Sequence, residues 1–310
     1  VVYRKGKAIS RADLRDADAL IVRTRTKCDS DLLRGTKVRF IASATIGFDH
    51  IDSEFCRSNH IQWTAAPGCN SSSVLQYMAR ALSHLSMKQG FQLAGKTIGV
   101  IGAGNVGGKV ATFCEHIGMR VLRNDPPRER NEGAAAFVSL QTILDQADII
   151  TLHVPLNYEG EDRTFHLFDR ARLAGLKKDQ ILINTSRGEV VETEGLKSIL
   201  TQKKIAACVV DVWENEPEID RSLLAKVDIA TPHIAGYSLD GKANGTAMSV
   251  QAIGKFFGLP LDGWYPKDIP VPTRTQIEID AKDLSSEEVV TAAILETYDI
   301  VSDDRKLRNS

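Results

Sequence analysis

The chain has 310 residues, of which 43% are hydrophobic and 25% charged, and its formal net charge at pH 7 is −1. These values are ordinary for a folded globular protein, and the length allows two domains with separate cores. Basic residues form no long runs and no apolar stretch approaches the ~20 residues that cross a bilayer, which argues against nucleic acid and membranes as partners.

The predicted elements alternate between short apolar runs and helical patterns, which indicates parallel α/β sheets. Strands of a first domain are expected at residues 19–23, 40–44 and 61–65, followed by a helix over residues 71–89. Further strands are expected at residues 97–101, 119–124, 149–154, 181–184, 206–211 and 227–230, followed by a helix at about 241–257. The predicted fold class is therefore α/β, with a Rossmann-type domain inserted into a flavodoxin-like domain and both sheets doubly wound.

The composition changes after residue 258. Four prolines between residues 260 and 272 indicate an extended linker, and residues 273–280 alternate like an edge strand. The sequence Ser285-Ser286-Glu287-Glu288 is a capping box that opens a helix through residue 298. We expect a partial C-terminal α+β segment, which either packs on its own subunit or serves in oligomerisation; we favour oligomerisation.

The two ends and the cysteines allow further expectations. The chain begins Val1-Val2-Tyr3 and its first strong strand comes only at residue 19, so an N-terminal truncation of the first domain is expected. Five cysteines without a CxxC pair favour reduced, mostly buried thiols over disulfides or zinc. A cytoplasmic protein is therefore predicted.

A glycine fingerprint follows the strand at 97–101, with Gly102, Gly104 and Gly107 in the spacing GxGxxG and a helical stretch at 108–117. Such glycines allow a tight turn, close approach of the backbone to a pyrophosphate, and close packing of helix on strand. Asp125, 18 residues after Gly107, ends the next strand, where a carboxylate can bond the ribose hydroxyls. It would repel a 2′-phosphate, so NAD is predicted over NADP, although Arg128 nearby works against that preference.

Three polar residues each follow a predicted strand: Arg187, Glu216 and His233. Loops at the strand ends of an open parallel sheet line a ligand crevice. There a guanidinium can hold a carboxylate with two hydrogen bonds, an imidazole can take a hydroxyl proton, and a carboxylate can orient that ring. Each residue alone is also compatible with a solvated loop, but together with the cofactor fingerprint they predict the oxidation of a 2-hydroxy acid.

A basic segment in the first domain bears on the substrate. Arg23, Arg25 and Lys27 alternate around a strand end, which predicts that they share one face, and Thr24 and Thr26 offer hydroxyls beside them. This pattern favours a phosphorylated 2-hydroxy acid, the alternative being a solvated basic edge. No metal is expected, because no His or Cys cluster has ligand spacing.

The glycine fingerprint, Asn-Thr-Ser-Arg-Gly at 184–188, Asp-Val-Trp-Glu-Asn-Glu-Pro at 211–217 and Pro-His-Ile-Ala-Gly at 232–236 together resemble the D-isomer-specific 2-hydroxyacid dehydrogenase family, up to about residue 258. The resemblance implies that Arg187, Glu216 and His233 are catalytic. It implies NAD contacts at Gly102, Gly104, Asn105, Val106, Gly107, Asp125, Val154, Ser186, Asp211 and Gly236. Substrate contacts are expected at Arg23, Thr24, Thr45 and Tyr237.

The resemblance also implies a domain plan. Residues 1–70 and 237–258 would form the substrate-binding lid domain, residues 71–236 the NAD-binding domain, and residues 259–310 the start of a C-terminal dimerisation domain that makes a homodimer. The chain departs from the family pattern at Gln76 and at Val191-Glu192, which affects the expected fine geometry of the substrate site but not the reaction class. The alternatives for the substrate are 3-phosphoglycerate and other 2-hydroxy acids. An alternative of another class is an NAD-sensing interaction module.

Overall fold

A computed structural model of the chain describes residues 1–272 and 274–310. All strand pairs in both of its sheets are parallel, which confirms the predicted α/β class. The chain forms two compact units, the first comprising Val1–Ser73 and Tyr237–Thr273 and the second Val74–Gly236 and Arg274–Ser310. The second unit thus interrupts the first in sequence, as an insertion would.

The described residues form nine strands, which are β1 (Ala19–Val22), β2 (Phe40–Ser43), β3 (Gln62–Thr64), β4 (Thr97–Ile101), β5 (Arg120–Asn124), β6 (Ile149–Leu152), β7 (Ile181–Asn184), β8 (Ala207–Val210) and β9 (Ile229–Ala230). They also form the helices α1 (Ser30–Leu33), α2 (Ser53–Ser58), α3 (Ser71–Gln89), α4 (Asn105–His116), α5 (Pro126–Glu132), α6 (Leu140–Gln146), α7 (Arg170–Gly175), α8 (Thr193–Thr201), α9 (Arg221–Leu224), α10 (Leu239–Phe257), α11 (Ser286–Thr297) and α12 (Ile300–Arg308). Three short 3-10 helices lie at Gly6–Ala8, Ala134–Ala136 and Gly188–Val190.

The first unit contains a three-stranded sheet in the order β1-β2-β3. All four residues of its central strand β2 are buried, as expected for a strand that has a neighbour on each side. Helix α10 packs against β2 and β1, so the segment that follows the second unit returns to the first sheet.

The second unit contains a six-stranded sheet in the order β5-β4-β6-β7-β8-β9. Side chains of one strand alternate between two separate apolar clusters. In β6, for example, Ile150 and Leu152 join one cluster and Ile149 joins the other. Because both faces of a parallel sheet are covered, its strands are apolar almost throughout, as the sequence of β7 (Ile-Leu-Ile-Asn) illustrates.

The boundaries of the predicted elements mostly hold to within one or two residues. Helix α4 is an exception, since it begins at Asn105, three residues before the predicted 108, with Gly104 as its N-cap. Helices α1, α2, α5 to α9 and α12 were not predicted individually.

The C-terminal segment differs from the α+β prediction. Residues 274–280 lie outside any strand, while Thr273, the first residue of the predicted edge strand, falls outside the described residues. The predicted capping box between Ser285 and Glu288 is present and opens α11. The secondary structure described between residues 274 and 310 is thus helical, and these residues belong to the second unit, whereas residues 259–272 belong to the first.

Three global features accompany the fold. Within residues 1–272 and 274–310, none of the helices combines the length and apolar character that crossing a bilayer requires. In the same residues, His, Cys, Asp and Glu side chains form no group of three or more suited to a metal ion. All five cysteines are buried and unbridged, so the expected burial of the thiols is confirmed.

Candidate active site

The glycine fingerprint forms the turn between β4 and α4. Gly102 has φ +84°, and a Cβ there would lie 2.6 Å from the carbonyl oxygen of His153. A Cβ on Gly107 would lie 1.9 Å from the carbonyl oxygen of Gly102, so helix and turn pack without room for a side chain. A Cβ on Gly104 would meet nothing within 4 Å. The turn therefore leaves open space beside the first amides of α4, those of Asn105 and Val106, where a helix N-terminus can bind phosphate.

Asp125 lies beside this turn at the end of β5. Its Oδ2 accepts a hydrogen bond from the Ala103 amide at 2.8 Å, and its Oδ1 accepts one from the Arg128 amide at 3.1 Å. The guanidinium of Arg128 donates to both carboxylate oxygens of Glu132, at 2.6 Å each. Because Glu132 engages this positive charge, Arg128 is less able to offset the negative charge of Asp125.

The loop after β7 holds Arg187. Ser186 donates its amide and hydroxyl to Oδ1 of Asn184, at 3.1 and 2.8 Å. The Asn184 amide in turn donates to the carbonyl of Arg187 at 2.9 Å, so the loop is fixed by the last residue of the strand. Arg187 is half-buried.

The loop after β8 and the loop after β9 bring Glu216 to His233. Nδ1 of His233 lies 2.7 Å from Oε2 of Glu216, and Oε1 of Glu216 accepts the Trp213 amide at 2.9 Å. Desolvation by the surrounding protein would by itself lower the pKa of His233, whose side chain is 46% exposed, and so would Arg187, but the hydrogen bond and charge of Glu216, helped by Asp211, raise that pKa above its ordinary value. The structure therefore brings together the histidine and the carboxylate that the sequence analysis singled out.

Burial and pairing also oppose each other at Glu216. Burial favours the neutral acid, yet the hydrogen bond and charge of His233, the Trp213 amide and the charge of Arg187 together lower the pKa of Glu216. The charge of Arg187 thus acts on both members of the pair. The ionised Glu216, the imidazole of His233, which can accept a proton, and the cation of Arg187 thus interact electrostatically.

Asp211 braces the loop that carries His233. Its carboxylate is 1% exposed and accepts hydrogen bonds from the Thr231 hydroxyl and from the amides of Ile234 and Ala235, at 2.6, 2.8 and 2.9 Å. Its carbonyl accepts the His233 amide at 2.6 Å. Burial raises the pKa of Asp211 in spite of these bonds. The polar contacts of this carboxylate are thus made within the protein, and they fix the loop.

The remaining cofactor candidates lie in the same unit. Val154 follows β6 and packs against the glycine turn, because its Cγ1 would be 2.9 Å from a Cβ on Gly102. Gly236 follows Ala235 at the end of the loop that Asp211 braces. These residues lie after strands of one sheet, the edge at which parallel sheets bind ligands.

The basic segment of the first unit differs from its predicted geometry. Strand β1 ends at Val22, and Arg23 begins a turn in which the Thr26 amide donates to the Arg23 carbonyl at 3.2 Å. The expectation that alternate residues share a strand face is therefore wrong for Arg23, Arg25 and Lys27. These three side chains are exposed, whereas Thr26 is buried and donates to the carbonyl of Gly6 at 3.0 Å.

Tyr237 lies within reach of the same charges. The Lys242 ammonium lies 3.5 Å from the centre of the Tyr237 ring, and Lys242, Arg23 and Arg25 together lower the pKa of the exposed phenol. Thr24 is exposed in the basic turn. Thr45 is half-buried after β2, and its hydroxyl contacts that of Ser43 at 2.8 Å.

The comparison with known families decides the class. Residues 74–235 match the model of the "D-isomer specific 2-hydroxyacid dehydrogenase, NAD binding domain" family. The chain belongs to this family. The predicted NAD cofactor and dehydrogenase class are thereby confirmed, and the match ends two residues after His233.

Two relatives of this 2-hydroxyacid dehydrogenase have the same name. Erythronate-4-phosphate dehydrogenase of Bacteroides fragilis strain ATCC 25285 is 53% identical over 262 residues, which cover 84% of this chain and 75% of that one. The enzyme of the same name from Bacteroides thetaiotaomicron is 49% identical over 311 residues, 99% of this chain and 86% of that one. Among solved structures, D-lactate dehydrogenase of Aquifex aeolicus, complexed with NAD and lactic acid, aligns with a TM-score of 0.67 and 26% identity over 81% of this chain and 86% of that one.

Two residues of this dehydrogenase escaped the sequence analysis. Trp213 joins two loops, because its amide holds Glu216 and its indole Nε1 donates to the Thr231 carbonyl at 2.9 Å. A tryptophan inside the Asp211 to Pro217 segment was a signal, since a buried indole needs a partner. Lys242 lies one turn into α10, and only the helix start at Leu239 places it near Tyr237.

Proposed function

We propose that this chain oxidises 4-phosphoerythronate to the corresponding 2-oxo acid with NAD. This is the reaction for which its relatives are named, and it belongs to vitamin B6 biosynthesis in the enzymes that the sequence resembles. The observation that carries the dehydrogenase chemistry is the 2.7 Å contact between His233 and Glu216 within the field of Arg187. The observation that favours a phosphorylated substrate is the Lys242 ammonium 3.5 Å from the centre of the Tyr237 ring, with the exposed cations Arg23 and Arg25 also lowering the pKa of that phenol. The catalytic, cofactor and substrate residues predicted from the sequence keep their roles in this proposal.

His233 acts as the general base in this proposal. Because Nδ1 faces Glu216, Nε2 is the nitrogen that takes the proton of the C2 hydroxyl. Ionised Glu216 then stabilises the imidazolium that forms. Arg187 holds the substrate carboxylate with two parallel hydrogen bonds and so fixes C2 relative to Nε2. In the reverse direction the imidazolium returns the proton to the 2-oxo oxygen.

The residues around the glycine turn suit NAD. The open space beside Gly104 and the first amides of α4 would receive the pyrophosphate, and Asp125 would accept hydrogen bonds from the adenosine ribose. The bound cofactor would supply the hydride acceptor for C2. The pairing of Arg128 with Glu132 supports NAD over NADP, because it leaves the carboxylate of Asp125 to repel a 2′-phosphate.

The test is a panel assay of NADH formation with the purified chain. 4-Phosphoerythronate, 3-phosphoglycerate and unphosphorylated erythronate are compared at equal concentration, and Arg23→Ala, Arg25→Ala and Lys242→Ala are assayed beside the parent. A charge-assisted phosphate contact contributes roughly 10- to 150-fold in kcat/KM. That loss is expected on the phosphorylated substrate and not on erythronate.

Each result of the panel has one meaning. Equal losses of activity on phosphorylated and unphosphorylated substrates would mean that the basic residues have a structural role and do not bind the substrate phosphate. Preference for 3-phosphoglycerate would replace the substrate within the same chemistry. An intact protein that binds NADH but turns over none of the three acids would favour the alternative of an NAD-sensing interaction module.

The oligomeric state and compartment complete the proposal. Helix α11 carries apolar residues such as Val289, Val290, Ile294 and Leu295, yet no residue of α11 is buried. This supports the assignment of residues 259–310 to a dimerisation region, and light scattering of the parent and of Val290→Glu tests it. Five buried, unbridged cysteines support a cytoplasmic location.

A further inference from the structure

Helix α12 lies along the free edge of the six-stranded sheet. Strand β9 is the last strand in the order and has β8 as its neighbour, so no strand among the described residues pairs with its outer edge. Oδ1 of Asp304 accepts the Ala230 amide at 2.7 Å and so supplies that partner from α12. A carboxylate thus takes the place of a neighbouring strand where β9 ends.

Arg308 secures Asp304 and binds the same edge. Its Nε lies 2.9 Å from Oδ2 of Asp304, and its Nη2 donates to the Val227 carbonyl at 2.9 Å. Its Nη1 donates to the carbonyl of Leu224, the last residue of α9. The side chains of Asp304 and Arg308 are 19% and 29% exposed, so water screens this pair less than a surface pair.

Two further contacts place the C-terminal segment behind the histidine loop. Leu307 and Ser310 line a cavity of about 440 Å³ together with Glu216, Pro217 and Pro232, among other residues. Tyr298, just before α12, packs against Tyr77 with ring centroids 6.2 Å apart. The Tyr77 hydroxyl lies 2.7 Å from that of Thr231, two residues before His233.

The histidine needs such support. His233 has φ +56°, a left-handed conformation that is costly for a residue with a Cβ and persists where the surroundings over-determine it. Asp211 and Trp213 hold the loop from the β8 side, and α12 holds the strand that enters it. Only two residues separate Ala230 from His233, so a displacement of β9 would also displace the His233 imidazole.

We propose that α12 positions His233 for proton transfer, with Asp304 and Arg308 as the positioning residues. The inference rests on the proposed role of His233 as general base. It adds a function to the C-terminal segment that is independent of dimerisation. The same contacts would be present if α12 only stabilised the second unit. The test therefore measures the effect on His233 separately from the effect on the stability of the folded protein.

The variants are Asp304→Ala and Arg308→Ala in the full chain. The matched control is Lys306→Ala, which removes an exposed cation of the same helix that pairs with Asp303 at 3.2 Å. Two readouts are measured well below the melting temperature: kcat with 4-phosphoerythronate and NAD, and the titration of the His233 imidazole by NMR in the protein without cofactor. The NMR readout does not depend on turnover.

The positioning role predicts a loss of about 10- to 100-fold in kcat for both alanine variants, with the Kd for NADH nearly unchanged. It also predicts that the raised pKa of His233 falls toward its ordinary value, because the contact with Glu216 loosens. The double variant should lose little more than either single one, since the two residues act through each other. Lys306→Ala should match the parent in both readouts.

Unchanged kcat and an unchanged His233 titration, with only a lower melting temperature, would overturn the positioning role. If the alanine variants do not fold, Arg308→Lys decides, because it keeps the charge pair but cannot reach both carbonyls with one fork. Parent-like kcat and titration in that variant would also overturn the proposal. Near-normal turnover by His233→Gln would instead refute the proposed base, a result distinct from either of these.

Discussion

At the scale of single residues, the part of the chain that the structure describes has two histidine–carboxylate pairs in the same unit, of which one belongs to the candidate site. His233 pairs with Glu216 at 2.7 Å, and His166 pairs with Glu214 at 2.6 Å. Both contacts have similar length, yet Arg187 acts on the first pair, whereas Glu214 is held by the Thr193 amide at 2.8 Å. This provides an internal control for the general base.

We expect His233→Gln to lower kcat by roughly 10²- to 10⁴-fold, because glutamine cannot take the hydroxyl proton. NADH affinity should change little, and His166→Gln should retain most of the parent kcat. Steady-state kinetics with fluorescence titration of NADH measure both. Comparable losses in the two variants would mean that the effect comes from disturbed packing and not from a lost base.

The pH dependence of the reaction should follow the pKa of His233. Oxidation requires the neutral imidazole, so kcat/KM should rise with pH through the raised pKa, while reduction requires the imidazolium and should fall. Glu216→Gln removes the charge that raises this pKa, and the rising limb should therefore move to lower pH. Glu218→Gln, an exposed change on the same loop, should leave the limb in place; an unmoved limb in Glu216→Gln would contradict the pairing.

Cofactor choice should depend on Asp125. We expect Asp125→Ser to reduce the ratio of kcat/KM for NAD over NADP, because the carboxylate that repels a 2′-phosphate is gone. Glu129→Gln, which removes a carboxylate one turn further along α5, should keep the parent ratio. Equal use of both cofactors by the unmodified chain would remove the basis for this assignment.

At the scale of elements, the glycine turn can be tested by a matched pair of alanines. Gly107→Ala places a Cβ 1.9 Å from the Gly102 carbonyl oxygen, so α4 must move, at a cost of about 1–3 kcal/mol in unfolding free energy. Gly104→Ala meets no atom within 4 Å and should keep the parent melting temperature. Calorimetry and NADH titration measure both effects. Weak NADH binding by a fully stable Gly104→Ala variant would support close approach of the cofactor at that position.

Elements with a long or distinctive local pattern were predictable, whereas the short helices between strands and a helix supported by a distant partner were not. The strands of the buried sheet and α3 follow from apolar spacing alone, and α11 from its capping box. Helix α12 has the sequence Ile-Val-Ser-Asp-Asp-Arg-Lys-Leu-Arg, which is mostly charged and buries only Ile300 and Leu307. Its stability depends on the edge of β9, where Ala230 lies 74 residues before Asp304 in the sequence.

The candidate site divides in the same way. Arg187, Glu216 and His233 were predictable, because loops after parallel strands converge and the residue types suit the chemistry. The basic segment failed in its geometry, since β1 ends one residue early and the strand period does not continue into the turn. Lys242 required the start of α10, and spacing in the sequence does not reveal it.

At the scale of the whole molecule, each unit has its own sheet and its own buried thiols. Cys28, Cys56 and Cys69 lie in the first unit, and Cys114 and Cys208 lie in the second. Burial raises the pKa of every one of them, to about 12 for Cys28 and Cys114. Since the thiolate is the reactive species, alkylation requires that the surrounding segment opens first.

The alkylation rates of the cysteines therefore report how often each unit opens. In pulsed alkylation followed by peptide mass spectrometry, we expect NADH to slow the labelling of Cys114 and Cys208 by a factor that grows with its concentration. Labelling of Cys28 and Cys56 should change less, because the first unit does not carry the glycine turn. One common rate for all five thiols, equally slowed by NADH, would instead mean that the two units open as a single cooperative body.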